Sequence, residues 1–308
     1  MNPGDLSWDG LSKLGDLVTY DRTEPGLILE RSLGAEMLLA NKTVLTAAVI
    51  ESLPDLRYIG LTSTGTNVVD LGAAWRRGVV VTHVPAYSTP SVAQFVFAFI
   101  LEFCHHVHDH SDAVYAGEWV RNPDFCFWNY PQVELDGKTI GIIGLGSIGR
   151  RVASIASAFG MRVLAANRSR SNPPTIEHFE WAEIPDLLRR SDFVSVHVPL
   201  NSETDGLIDR DSLSLMKSTA ILINTGRGPL VVEQDLADAL NSGRIAGAAL
   251  DVLSVEPPPM DNPLLSAKNC LITPHIAWAT REARARLMQV VVDNVKAFLA
   301  GDPVNVVS

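Results

Sequence analysis

The sequence predicts an α/β protein of two domains, one built on a doubly wound parallel sheet and one on a smaller sheet. Three observations carry that expectation. First, Thr139–Gly144 is a short β-branched apolar run, and Gly144-Leu145-Gly146-Ser147-Ile148-Gly149 follows it without a gap. An Ala-rich amphipathic stretch, Ile148–Phe159, then ends at Gly160 before a second apolar run, Met161–Ala166. Second, short apolar runs alternate with helix-like stretches on both sides of this unit, as parallel strands joined by crossovers require. Third, 308 residues are enough chain for two cores of ordinary size.

In order along the chain, Met1–Gly10 is polar and turn-like. Leu27–Leu29 is apolar, a second stretch covers Leu33–Ala40, and Val44–Leu45 leads through Thr46 into a helical run to Leu53. Leu56–Leu61 and Val79–Val84 read as strands, with Asp70–Arg77 the helix between them and Gly78 its cap. Pro90 opens one long helix, Ser91–Tyr115, that bridges into the second domain. Phe125–Leu135 is aromatic and irregular, a loop over apolar surface; its Trp128, Asn129 and Tyr130 receive no role. Beyond the glycine unit, helices are expected at Ala182–Arg190, Ser212–Lys217 and Glu233–Asn241. Strands are expected at Phe193–Val198, Ala220–Asn224, Ile245–Leu253 and Leu271–Thr273, and a terminal helix at Thr280–Leu299 before Gly301. The expected domains are residues 1–90 with 281–308, and residues 91–280.

The glycines have separable tasks. Gly144 permits a tight turn, Gly146 lets backbone approach a pyrophosphate, and Gly149 lets helix pack on strand. The helix N-terminus adds unpaired N–H groups and partial positive charge. In this strand–turn–helix–strand context the pattern predicts a Rossmann-type dinucleotide site.

Composition excludes several classes. Acidic residues outnumber basic ones 35 to 25, and the net charge of −10 argues against nucleic acid or an anionic membrane as partner. With 46% hydrophobic and 19% charged residues and a mean hydropathy of +0.13, the chain has an ordinary soluble profile. Cys104, Cys126 and Cys270 are odd in number and lack a CxxC pair; they suit a reducing cytosol, hence a cytoplasmic location, and give no metal signature. The longest apolar stretch, Ser91–Cys104, is too short to span a membrane, and Met1–Asp16 lacks the pattern of a signal peptide. His105, His106, His108 and His110 raise a metal reading, since His106 and His110 are one turn apart. No acid or cysteine completes a geometry with them in sequence, so they read as a solvated helix face.

Three chemically useful residues lie just past three strands. Arg227 follows Ala220–Asn224, Glu256 follows Ile245–Leu253 beside Pro257-Pro258-Pro259, and His275 follows Leu271–Thr273 and Pro274. In an open parallel sheet, strand carboxyl ends share one side, where ligands bind. Arginine can hold a carboxylate and polarise a carbonyl. Histidine can give a proton to the oxygen as hydride reaches the carbon, and a neighbouring carboxylate would fix its tautomer and stabilise its charged form.

Gly144–Gly149, INTGRGPLV (Ile223–Val231), ALDVLSVEPP (Ala249–Pro258) and TPHIAWAT (Thr273–Thr280) together resemble the D-isomer-specific 2-hydroxyacid dehydrogenase family over nearly the whole chain. Within it, His83-Val84-Pro85-Ala86-Tyr87-Ser88-Thr89, Ser91-Val92-Ala93-Gln94 and the HIAWAT ending are most similar to glycerate dehydrogenases, also called hydroxypyruvate reductases. The resemblance implies NAD(P)-dependent reduction of hydroxypyruvate or glyoxylate to D-glycerate or glycolate, and the reverse. Its catalytic residues would be Arg227 on substrate, His275 as acid/base and Glu256 as the partner of His275. It implies a flavodoxin-like substrate domain, an active site in the cleft, and domain closure that expels water. It places the substrate carboxylate on Ser63, Thr64 and Gly65, a Gly-containing turn whose consecutive N–H groups suit an anion. For the cofactor it implies Gly144, Gly146, Ser147, Ile148, Gly149, Asn167, Arg168, Ser169, Val198, Pro199, Thr204, Thr225, Gly226, Arg227, His275 and Ala277, with Asp251 on the nicotinamide carboxamide. Relatives acting on formate carry glutamine where Glu256 stands. Non-enzymatic corepressor relatives keep much of the constellation, so a dinucleotide-sensing binding protein with vestigial activity is the alternative.

An NAD-selective fold places an acid about 20 residues beyond the glycines. Here the strand ends in Asn167-Arg168-Ser169-Arg170, two arginines and a serine where a 2′-phosphate would lie, so NADP(H) is expected over NAD(H). The apolar start of the bridging helix (Val92, Phe95, Val96, Phe99, Ile100) exceeds the need of one interface, and the resemblance implies a homodimer built on it. The resemblance implies a strand before a segment like Asn2–Gly10, so either the true start lies upstream or the strand was lost; if it is absent, the small sheet lacks an element and lower stability than an extended form is expected.

Overall fold

The computed structural model describes residues 4–307. The chain divides into two compact units, Met1–Ser88 with Ala279–Ser308, and Thr89–Trp278. The first contains α1 (Asp9–Ser12), α2 (Ile28–Ser32), β1 (Met37–Ala40), α3 (Ala47–Glu51), β2 (Tyr58–Leu61), α4 (Leu71–Arg76) and β3 (Val80–Thr82). Its sheet is parallel in the order β1-β2-β3, and every residue of β2 is buried, which explains the absence of polar alternation there. Side-chain oxygens of Thr46 and Asp70 accept from the N–H groups of Val49 and Ala73, starting α3 and α4.

The second unit contains α5 (Thr89–His105), α6 (Val107–Tyr115), α7 (Glu118–Arg121), β4 (Thr139–Ile143), α8 (Ser147–Ala158), β5 (Arg162–Ala166) and β6 (Phe179–Trp181). It continues with α9 (Ile184–Arg190), β7 (Phe193–Val196), α10 (Arg210–Leu215), β8 (Ile221–Asn224), α11 (Glu233–Asn241), β9 (Gly247–Leu250) and β10 (Cys270–Ile272). The last helix, α12 (Arg281–Leu299), returns to the first unit, where Leu287, Val291 and Val295 pack with Leu11 and Tyr58. No single helix among the described residues is long and apolar enough to cross a membrane.

Seven parallel strands make the large sheet, ordered β10-β9-β8-β7-β4-β5-β6. The order reverses between β4 and β7, so the glycine turn after β4 stands at the switch point. Pleating sends alternate side chains to opposite faces. Ile140 and Ile142 join Val163, Ile221 and Ile223 in one core, covered by Val96, Phe99 and Ile100 of α5 and Val152 and Ala156 of α8. Ile143, Leu164, Val194 and Leu222 face the other core, closed by Leu187, Leu213, Leu236 and Leu240 of α9 to α11.

The structure differs from the expected elements at four places. The bridging helix is broken: His106 has φ +46°, and α5 and α6 meet at a bend of 54°. Histidine enters the left-handed region more readily than most residues, and a single such residue leaves no trace in apolar periodicity. The apolar start of α5 is core of its own chain, since Val96, Phe99 and Ile100 are buried against the sheet. Exposed apolar surface lies instead on Val107, Tyr115, Val120, Phe125 and Trp128. The histidines are not a purely solvated face. His106 stacks on Tyr130 at 4.2 Å and pairs with Asp109, His105 meets Gln132, and His110 accepts from the Asn129 N–H at 3.1 Å. Acids missing from the sequence reading, Glu102 and Asp109, bring ligand-type atoms within 4.8 Å of those of His106. Finally, β6 is a three-residue edge strand that alternating Phe179-Glu180-Trp181 was too short to announce.

Candidate active site

The glycine turn is built by close approach. Gly144 has φ +99°, and a Cβ there would stand 2.7 Å from the carbonyl carbon of His197. A Cβ on Gly149 would stand 2.2 Å from the Gly144 oxygen, so only glycine lets α8 start this near β4. At Gly146 a Cβ would meet nothing within 4 Å, and no side chain caps α8, which leaves the N–H groups of its first turn without a capping side chain among the described residues. Asn167 ties the end of β5 to this turn: its Oδ1 accepts from the Leu145 N–H at 3.0 Å and its Nδ2 donates to the Ser169 oxygen at 2.7 Å. Arg168 pairs with Glu203 and Arg170 with Glu183. Past β7, the hydroxyl of Thr204 donates to the Pro199 oxygen at 2.7 Å and accepts from the Asn201 N–H at 2.9 Å, which shapes the turn after Val198.

The arginine turn after β8 is held from inside. Buried Asn224 accepts from the Gly226 N–H at 3.0 Å and donates to the Arg227 oxygen at 2.8 Å. Between them, the Thr225 hydroxyl oxygen is buried with no hydrogen-bond partner among the described residues. A buried hydroxyl without a partner is costly, and a ligand polar group would relieve it. Together with the uncapped α8 and the open space at Gly146, it makes these residues fit a dinucleotide. Arg227 is exposed and its Nη1 folds back onto the Gly226 oxygen at 2.8 Å. Gly228 lies so close to the segment after β9 that a Cβ would stand 2.0 Å from the Leu253 carbonyl carbon.

Glu256 and His275 meet. Nδ1 of His275 lies 2.7 Å from Oε2 of Glu256, with side chains 27% and 30% exposed. A carboxylate only accepts, so Nδ1 carries the shared proton and Nε2 is left for a ligand. His275 has φ +55°, a conformation held from several sides. Asp251, 1% exposed, accepts from the Thr273 hydroxyl at 2.6 Å, the Ile276 N–H at 2.8 Å and the Ala277 N–H at 2.8 Å. The Trp278 indole N–H donates to the His275 oxygen at 2.8 Å. On the other loop, Oε1 of Glu256 accepts from the Leu253 N–H at 3.2 Å, and Glu233 accepts from the Ser254 N–H at 2.7 Å and from Asn262 at 2.8 Å.

β8, β9 and β10 are adjacent and parallel, so Arg227, Glu256 and His275 all follow carboxyl ends on one side of the sheet. Of these three, the glutamate and histidine are hydrogen-bonded to each other, whereas the guanidinium of Arg227 turns to its own loop. Asp251, expected on the carboxamide, has both oxygens on the 273–277 loop. In the first unit, Ser63 donates to the Gly65 oxygen and Thr64 to the Val84 oxygen, each at 2.8 Å. The backbone N–H groups of Ser63, Thr64 and Gly65 donate to no backbone carbonyl among the described residues.

Sequence reasoning missed Asn224, Glu233, Ser195 and His197. Asn224 carried a signal, an amide one residue before a Thr-Gly turn. His197 follows β7 directly, with Nε2 2.8 Å from the buried Ser195 hydroxyl, and burial pushes its pKa down to about 4.

Residues 97–277 match the NAD binding domain of D-isomer specific 2-hydroxyacid dehydrogenases. The hydroxypyruvate reductase of Blautia hydrogenotrophica is 48% identical over 100% of this chain and 97% of its own length. The glycerate dehydrogenase of Methylorubrum extorquens is 39% identical over 94% of this chain and 90% of its own. An acyclic imino acid reductase solved with NADPH and D-Arg superposes with a TM-score of 0.86 at 32% identity, covering 98% of this chain and 96% of that one. The chain belongs to the D-isomer specific 2-hydroxyacid dehydrogenase family.

Proposed function

We propose that this protein reduces a small 2-keto acid, hydroxypyruvate or glyoxylate, to D-glycerate or glycolate, and catalyses the reverse oxidation. The observation that carries the proposal is the 2.7 Å contact of Glu256 with His275, at the same end of the sheet as the glycine turn. The names of the two relatives support the substrate class. The nicotinamide cofactor, when bound, supplies the hydride. Gly144, Gly146, Ser147, Ile148 and Gly149 would hold its phosphates, and Thr225 and Gly226 its nicotinamide half. His275 gives a proton from Nε2 to the substrate oxygen and recovers it in the reverse direction, while Glu256 holds the ring and balances its charge. Arg227, unfolded from Gly226, forks onto the substrate and polarises its carbonyl. The N–H groups of Ser63, Thr64 and Gly65 take the carboxylate. Assaying a panel of keto acids tests this reading: hydroxypyruvate or glyoxylate turned over with the highest kcat/KM supports it, and no turnover of either overturns it.

NADP(H) is the proposed cofactor, because no acid ends β5 and Arg168 and Arg170 stand beyond it. Glu203 and Glu183 must yield these arginines to a 2′-phosphate, so the preference is modest, about tenfold, or about 1.4 kcal/mol. A tenfold higher kcat/KM with NADH than with NADPH contradicts it. The exposed apolar side chains of Tyr115, Val120, Phe125 and Trp128 are assigned to a homodimer interface. Light scattering of Val120→Asp/Phe125→Asp should then report a monomer. Three free cysteines, with burial pushing Cys104 to about 11 and Cys270 to about 12, suit a reducing, cytoplasmic location.

A further inference from the structure

The large sheet has a second concavity, of about 550 Å³, at the opposite ends of its strands. Thr139 lies in its wall and opens β4, the strand that ends at the glycine turn. Five residues of strand, at about 3.3 Å each, separate this opening from the turn by roughly 15 Å. Arg162, the first residue of β5, Arg189 and Arg190, at the end of α9, and Lys217 all line it.

The cations divide into two classes. Arg190 forks onto Glu180 at 2.6 Å and Asp186 at 2.7 Å, and Lys217 holds Asp192 at 2.7 Å. The side chains of Arg162 and Arg189 have no hydrogen-bond or ion-pair partner among the described residues. The acid lining the cavity, Glu180, is taken by Arg190, which leaves the exposed Arg162 and Arg189 sharing the cavity without a carboxylate of their own among the described residues. Leu164 and Phe179 supply an apolar wall beside them. Such a wall excludes water from one side and strengthens attraction for an anion.

The geometry points to a second ligand site that takes a small organic phosphate, its phosphoryl oxygens on Arg162 and Arg189 and its organic part against Phe179 and Leu164. A dianion with three acceptor oxygens can satisfy two guanidinium forks, where a single carboxylate cannot. The volume lies in the range of small-molecule sites and well above that of a bare phosphate. The site does not depend on the proposed reaction, because none of its residues belongs to the turns that follow the strand carboxyl ends.

Phenyl phosphate is the probe, titrated calorimetrically into protein saturated with NADPH so that the glycine turn is filled. The expected result is one site with a Kd below about 1 mM, at least about threefold tighter than inorganic phosphate. Arg162→Ala/Arg189→Ala should weaken it at least about tenfold, and Phe179→Ala should reduce phenyl phosphate to the level of inorganic phosphate. The double arginine variant should keep the wild-type Tm, Phe179→Ala should lower it because the ring packs on the core and on Trp181, and both should keep keto-acid turnover. Arg151→Ala, at an exposed arginine of α8 outside the cavity, should bind as the wild type does. Absence of binding up to about 10 mM, undiminished binding by the double variant, or equal loss in Arg151→Ala overturns the assignment. Displacement of NADPH by phenyl phosphate overturns it too, by moving the phosphate to the cofactor turn.

Discussion

His197 and His275 each follow a strand of the same sheet, yet only His275 has a carboxylate on one ring nitrogen. His197 comes directly after β7, bonds the buried hydroxyl of Ser195, and is pushed by burial to about 4, so it stays neutral in ordinary conditions. His275 comes three residues after β10 and faces Glu256 at 2.7 Å. The two carboxylates after β9 divide the same way. Asp251 is 1% exposed and fully occupied with the loop of His275, whereas Glu256 keeps one oxygen for the imidazole. A strand end places a residue by the crevice; a charged partner and an open polar atom make it reactive.

The sharpest way to break this contrast is His275→Asn. It should lower kcat/KM for hydroxypyruvate by about 10³-fold while leaving the NADPH dissociation constant within about threefold of wild type. A loss below about tenfold would make the two histidines equivalent. Glu256→Gln keeps the shape of the contact and removes its charge, so steady-state kinetics should show a smaller loss, about 10- to 100-fold, at unchanged Tm.

His197 should show itself in stability instead of turnover. Its folded-state pKa, about 4, lies below the ordinary 6.5, so the unfolded chain takes up the proton first. Stability is therefore full above pH 6.5 and is lost as pH falls from there toward 4, by on the order of 1–2 kcal/mol. Urea unfolding across that range measures the loss, and His197→Gln should flatten it. The smallest effect is expected of Thr225→Val, which removes the orphan hydroxyl. Tm should hold or rise slightly, while NADPH binding measured by fluorescence weakens about fivefold.

Much of the candidate site was legible because its residues are tied to local signals. The GLGSIG turn needs glycine at Gly144 and Gly149 for reasons of space that any sequence with this strand and helix must respect. The Gly- and Pro-framed positions of Arg227, Glu256 and His275 marked strand ends, and parallel pairing put those ends on one side. What stayed hidden depends on tertiary partners. Nothing near Asp251 in sequence announces that its acceptors are spent on N–H groups 25 and 26 residues away. The carboxylates on Arg168 and Arg170 come from Glu203 and Glu183, far along the chain, so the arginines read as free. The break at His106 is one residue's backbone choice, fixed by the stacking of Tyr130 and the bond to His110.

The account rests on Glu256 acting through His275, and a double-mutant cycle of kcat/KM measures that dependence directly. If the two form one unit, Glu256→Gln introduced into His275→Asn should cost less than about twofold, although it costs at least tenfold in the wild-type background. Multiplicative losses in the double variant would show two independent contributions and contradict the mechanism.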